Sequence, residues 1–292
     1  MTFSRLAAIL AMCSSVWAAA VQTEPAAPQP PSPAEQTKLL DAVRRYALTY
    51  THRLPDFICL EQTRRYVDAA GTQAWQLMDV LTARLSYFNQ KEDYKLVTQN
   101  GHPATDTSYE SAGGTLSMGD FGTTMRDIFD PASHTSFAWK RWTTLRGRRT
   151  LVFSYRVSLP LYAIEYQAEK RDTVQRTKVA YRGWVFVDKQ SNKIVRITHE
   201  ALNIQPSFPV KAASETLDYD FVRIGEREFF LPLMATLEMQ VQTYGGKVAT
   251  KNEKEFRLYR KFSAEAAIKF DGQELPPLPD DKTKEQSPQP PQ

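Results

Sequence analysis

Asp218 and Asp220 flank Tyr219 and share one face of a β-patterned run. A carboxylate pair could serve glycan hydrolysis, but a glycosidase needs its two carboxyls on either side of a scissile bond. Side by side on one strand, the two aspartates read more simply as a solvated face. The four histidines, His52, His102, His134 and His199, show no metal-ligand spacing and no H-E-x-x-H. His199 lies near Val195 and Ile197, where a structural histidine belongs. No G-x-S-x-G elbow occurs, and Gly113–Gly122 (GGTLSMGDFG) lacks the Gly-Lys-Ser/Thr ending of a phosphate cradle. With Cys13 in a leader segment, Cys59 stands alone, so no intramolecular disulfide is expected. Its neighbours Phe57, Ile58 and Leu60 mark it as a small buried hydrophobe. No catalytic residue, cofactor or metal is therefore expected. The chain reads as non-enzymatic, with a glycan-active enzyme using Asp218 or Asp220 as the remoter alternative.

Aromatic weight is the stronger signal. Phe137 and Trp139 alternate with Ala138 and Lys140, so they share one face, and Trp184 and Phe186 share another. Such side chains bury large area in cores and binding surfaces alike. These four are the candidate lining of a hydrophobic cavity. Met118, Phe121, Met125 and Ile128 recur at spacings of three and four between glycine-rich flanks, the pattern of a short lid helix or of a crossover helix fixed on the core. The turn Leu145–Arg149 carries three arginines, which are either solvated or placed to meet an anionic headgroup at a cavity mouth.

The elements that must position these residues follow from pattern. Arg5, the apolar run Leu6–Trp17 and Ala18-Ala19-Ala20 form an export leader with cleavage after Ala20. Lipidation at Cys13 is the lesser reading, because Met12 is bulky for the preceding position. Residues 21–32 form a Pro-rich disordered linker, 33–274 a single β domain, and 275–292 a disordered Pro-rich tail. Ser32-Pro33-Ala34-Glu35 is a capping box with proline at the first helical position. Leu39, Leu40, Val43, Tyr46, Ala47 and Tyr50 then make one apolar stripe, which Pro55 ends. Beyond Phe57 the period is two. Strands are expected at 57–67, 78–88, 92–98, 136–144, 150–157, 161–169, 176–188, 193–203, 215–224, 233–242 and 255–262, with turns at Asn100-Gly101, Arg146-Gly147, Ser191-Asn192 and Gly245-Gly246. The fold class is mostly β. A meander of roughly ten strands must curl into an incomplete barrel.

The exported start, the amphipathic helix, the meander and the hairpin Gly183-Trp-Val-Phe-Val-Asp188…Lys193-Ile-Val-Arg-Ile197 together resemble the periplasmic lipoprotein-carrier superfamily. That group includes the outer-membrane lipoprotein localisation factor and the N-terminal domain of envelope-stress sigma-factor regulators. Leu54–Phe57 and Leu145–Val157 also resemble uncharacterised exported bacterial proteins. The resemblance implies a curved sheet whose concave face holds acyl chains or lipoproteins beneath helices, with one face of Gly183–Ile197 lining the cavity and the other packing under Pro33–His52. It implies a periplasmic or secreted protein. The competing reading is a sensor or interaction module with an envelope protein partner. Formal charge is +4, too weak to imply a polyanionic partner. An exported chain has no nucleic acid to meet, and no later run is long enough to span a membrane.

Overall fold

The computed structural model describes residues 29–116, 120–167, 174–243, 245–262 and 274–286. The leader, most of the Pro-rich linker and Met118 lie outside them. The capping box forms as its sequence requires: Ser32 Oγ accepts from Glu35 N–H, and Glu35 accepts from Ser32 N–H at 2.8 Å. It starts helix α1 (Pro33–Arg53), whose stripe buries Val43, Ala47 and Tyr50. The charged and polar positions between them leave the opposite side to water.

Strands β1 (Phe57–Asp68), β2 (Gln76–Phe88), β3 (Lys91–Gln99) and β4 (His102–Pro103) follow as hairpins. After a long connection holding helix α2 (Thr123–Phe129) come β5 (Ser136–Leu145), β6 (Arg148–Gln167), β7 (Val174–Asp188), β8 (Ile194–Leu202), β9 (Val210–Ile224), β10 (Arg227–Thr243) and β11 (Gly246–Lys261). A one-turn helix α3 (Asp280–Thr283) and a two-residue strand β12 (Glu285–Gln286) end the described chain. All twelve strands join one antiparallel sheet, in the order β12-β5-β6-β7-β8-β9-β10-β11-β1-β2-β3-β4. The C-terminal meander thus closes back on the N-terminal hairpins through β11 and β1, but the two ends of the sheet do not meet.

Curl has identifiable causes. Register shifts interrupt the ladders at Ile58/Leu60, Arg65/Tyr66, Trp139/Arg141, Val157/Tyr162 and Phe186/Val187. Each adds local twist and bends its strand. The shift at Val157/Tyr162 sits inside β6, which joins the two strands expected at 150–157 and 161–169. At Gly183 the neighbouring strand comes so close that a Cβ would lie 1.7 Å from the Thr198 carbonyl oxygen. Only glycine admits that backbone approach.

The inner face, toward α1 and α2, carries the main core: Phe57, Cys59, Leu85, Phe153, Val185, Ile197, Leu217 and Phe256 among others. The outer face, read from sequence as solvated at Asp218 and Asp220, is covered over part of its width, and Asp218 is buried. Residues 275–286, expected to belong to a disordered tail, lie across that face and are hydrogen-bonded to Gln62, Arg64, Glu255, Arg196 and Arg141. Composition missed this because the groups recognised are chiefly the tail's backbone, which the proline-rich start leaves free of internal hydrogen bonds.

Candidate functional site

The four aromatic residues expected to line one cavity lie on two faces of the sheet. Trp139 pairs with Phe153, and Phe153 pairs with Val185, which places all three on the inner face. Phe137 stacks on Phe129 of α2, with ring centroids 5.0 Å apart, and Trp139 packs edge-on against Phe153 at 5.6 Å. Trp184 instead pairs with Ser154, and Phe186 with Val152, on the outer face. There the Arg141 guanidinium lies 5.5 Å from the Trp184 ring and 5.8 Å from the Phe186 ring. The inner positions of that hairpin are Val185, Val187 and Ile197. The helices pack on that inner face, so Trp184 and Phe186 lie on the face of Gly183–Ile197 turned away from them.

Three of the expected lid residues come together. Phe121, Met125 and Ile128 are each at most 1% exposed, as is Phe129. Phe121 sits among Phe57, Tyr87 and Phe256. Helix α2 lies against α1, and Gly122 (φ 111°) makes this approach: a Cβ there would fall 2.6 Å from Cδ1 of Tyr50. Tyr50 is in turn fixed by donating its hydroxyl to the Phe230 carbonyl at 2.9 Å. The apolar side chains of α2 occupy the inner face.

Polar groups of the inner face pin the segment leading into α2. Arg65, paired with Asp79 at 2.7 and 2.6 Å, also donates to the carbonyls of Ala112 and Gly113. Asn252 donates to the Thr115 carbonyl at 2.6 Å. Lys254 Nζ lies 2.8 Å from Asp120 Oδ2 and 4.0 Å from Glu61 Oε2. The Tyr219 hydroxyl donates to the Asp120 carbonyl at 3.1 Å, and Phe121 N–H to Glu92 at 3.4 Å. Glu61 also accepts from the hydroxyls of Tyr109 and Thr63.

Asp120, Lys254, Glu61 and Tyr109 are all buried, so their charges are felt strongly. Burial drives the Asp120 carboxyl up to about 7; the pull of Lys254 opposes this, and the carboxylates of Glu215 and Glu61 add to it. Burial works against the Lys254 charge, but Asp120 and Glu61 outweigh it and hold the ammonium well above its ordinary value. Burial, with the neighbouring carboxylates, outweighs the single ammonium, so Asp120 keeps its proton up to about 7. For Asp79, burial alone would raise the carboxyl, yet the Arg65 fork brings it below the ordinary value. These charged groups were not singled out by sequence. Their one signal was Lys and Asn at alternate positions of a run too polar to score as a buried strand.

The remaining candidates have settled places. His199 is buried with Nε2 3.2 Å from Glu215 Oε2, its ring against Tyr162. Cys59 is fully buried on the inner face, and burial pushes its thiol well above the usual range. Asp218 and Asp220 lie on the outer face. Asp218 is gripped by Arg196 at 2.9 Å and Arg146 at 2.9 Å, and Asp220 by Arg148 at 2.7 Å. The arginine-rich turn is accordingly folded onto the sheet at Arg146 rather than solvated. Among the described residues no cluster of His, Cys, Asp or Glu is arranged to hold a metal ion. A surface depression of about 180 Å³ between β6 and β7 contains none of the expected residues.

No family model matches the chain, and no curated protein matches it. Among solved structures, one similar chain is a DUF1329 family protein from Desulfovibrio piger ATCC 29098. It is 9% identical over 78% of this chain and 95% of that one, with a TM-score of 0.34. The complex of Pseudomonas aeruginosa MucA/MucB is matched at 9% identity over 78% of this chain and 100% of that one, with a TM-score of 0.24. MucB in complex with MucA(peri) is matched at 8% identity over 79% and 100%, with a TM-score of 0.21. All three are distant likenesses.

Proposed function

We propose that this protein is an exported binding module that takes an acyl chain, of a lipid or a lipoprotein, onto the inner face of its sheet when the segment ending in α2 lifts. The observation that supports this reading is the way α2 is held. Four apolar side chains of a short glycine-flanked segment, Phe121, Met125, Ile128 and Phe129, fill the inner face. The segment itself is tied down by side chains of β1, β9 and β11 rather than by the sheet ladder. An element held in that way can leave without unpairing a strand. The surface it uncovers is aromatic and aliphatic, the chemistry an acyl chain seeks.

The test is uptake of a fluorescent fatty acid by the purified chain, together with native mass spectrometry of protein prepared from the cell envelope. Saturable uptake with a bound lipid mass supports the reading. Absence of both, also in a Lys254→Met chain whose segment is released, overturns it and favours an envelope protein partner.

A further inference from the structure

The outer face carries a continuous row of directly paired residues across eight strands. It runs Gln62, Glu255, Met234, Asp218, Arg196, Phe186, Val152, Arg141, from β1 to β5. At about 4.8 Å between strands the row spans about 34 Å. Residues 274–286 (ELPPLPDDKTKEQ) follow it from end to end. Gln62 exchanges two hydrogen bonds with the Leu275 backbone, at 3.1 and 2.8 Å, and Arg64 donates to the same carbonyl. Glu255 accepts from Leu278 N–H at 3.0 Å, and Arg257 donates to the Pro276 carbonyl at 3.0 Å. Farther along, Arg146 donates to the Lys282 carbonyl at 3.3 Å and Arg196 to that of Thr283 at 2.5 Å. Arg141 forks onto the Glu285 carboxylate at 2.8 and 3.2 Å, which Thr143 also meets at 2.8 Å, and β12 pairs with the last residues of β5.

Two properties make this a recognition groove rather than incidental packing. The donors are oriented by the sheet without the tail: Glu255 fixes Arg64 and Arg257, and Asp218 fixes Arg196 and Arg146. What they read is mostly main-chain carbonyl, plus one acid at the far end. The carbonyls of Leu275 and Pro276 are those of an extended proline-rich start, which does not use them internally, and those of Lys282 and Thr283 are offered by the helical turn α3.

We propose that the row from Gln62 to Arg141 is a binding site for a peptide with an extended proline-rich start, a helical turn and an acidic residue after it, and that the chain's own residues 274–286 occupy it in cis. A partner segment of that chemistry binds by displacing the tail. The tail has the advantage of tethering, equivalent to a millimolar local concentration for a short linker. Binding in trans is therefore weak until the tail's anchor is loosened.

The experiment uses the full chain and a fluorescein-labelled synthetic peptide of sequence ELPPLPDDKTKEQ, read by anisotropy. Glu285→Arg sets two cations against each other at the tail's acidic anchor and leaves the groove intact. The peptide should bind this chain at least tenfold more tightly than it binds the wild type. Adding Arg141→Ala, a half-exposed side chain whose loss leaves no buried charge, should remove the gain. Urea melts confirm that each chain is folded. No saturable binding to the Glu285→Arg chain overturns the proposal, as does binding that is unchanged by Arg141→Ala.

Discussion

Lys254→Met tests whether the ion pair under Asp120 holds the α2 segment closed. The ammonium is 1% exposed and lies between Asp120 and Glu61, which are 2% and 1% exposed. Removing one partner of a buried pair costs about 3–5 kcal/mol, because the other charge stays uncompensated. Here that cost falls on the closed state alone if the segment can lift and hydrate Asp120. At about 1.4 kcal/mol per factor of ten, opening should become more frequent by between about a hundredfold and a few thousandfold. Lys254 holds the Asp120 carboxyl down toward about 7, so its removal raises that carboxyl further, and the labelling belongs at the highest pH the fold tolerates, where protonation offers least relief. Cys59, fully buried on the inner face, is the reporter in a chain carrying Cys13→Ser. Its labelling by a thiol reagent should accelerate in Lys254→Met by that factor, and should fall back substantially when Asp120→Asn is added. The accelerated labelling should depend only weakly on urea, since lifting a segment exposes little surface compared with unfolding the sheet. An unchanged labelling rate would show that the pair holds nothing. Labelling with the full urea dependence of global unfolding would show that the segment cannot open by itself.

Three further outcomes are expected. Asp120 binds its proton more tightly in the folded chain, with its carboxyl raised from 3.8 to about 7, so its contribution to stability is complete below about pH 4 and is lost as pH rises through 7. Urea melts should therefore show the stability of wild type relative to Asp120→Asn falling by a few kcal/mol, on the order of 4, between pH 4 and pH 8, and a flat difference would refute the assignment. Ile128→Asp places a carboxylate at a side chain with 0% exposure. Its cost should not exceed the wild-type opening free energy read from Cys59 labelling, because the helix can swing out; a larger loss, on the order of 3 kcal/mol or more beyond it, returns α2 to a fixed core. Gly183→Ala drives a methyl into the Thr198 carbonyl and should lower stability by roughly 3 kcal/mol, with a loss under about 1 kcal/mol in thermal or urea melts counting against the close approach.

What could be read from sequence divides along a physical line. Helix α1 was legible from its capped start to within a residue of its end, since its cap and stripe are local properties, and most of the meander was legible where apolar residues alternate. Pairing Phe137 and Trp139 with Trp184 and Phe186 required cross-strand register, which alternation within one strand does not contain; the bulge at Trp139/Arg141 shifts it further. The beginning of β11 was lost for another reason. Its run GKVATKNEKEF puts Asn252 and Lys254 toward the inner face, and a polar inner face cancels the signal by which half-buried strands are found. The polarity that hid the strand is also what fastens the α2 segment. Asn252 and Lys254 were placed where a fully apolar sheet would have served packing better, and a buried ion pair is weak evidence of stability on its own. Their positions make sense if the contact they support is one that must break. An apolar seal under Asp120 would hold the segment at every pH, whereas a lysine facing two acids, one of them titrating near neutrality, holds it by a balance that a proton or an incoming ligand can shift.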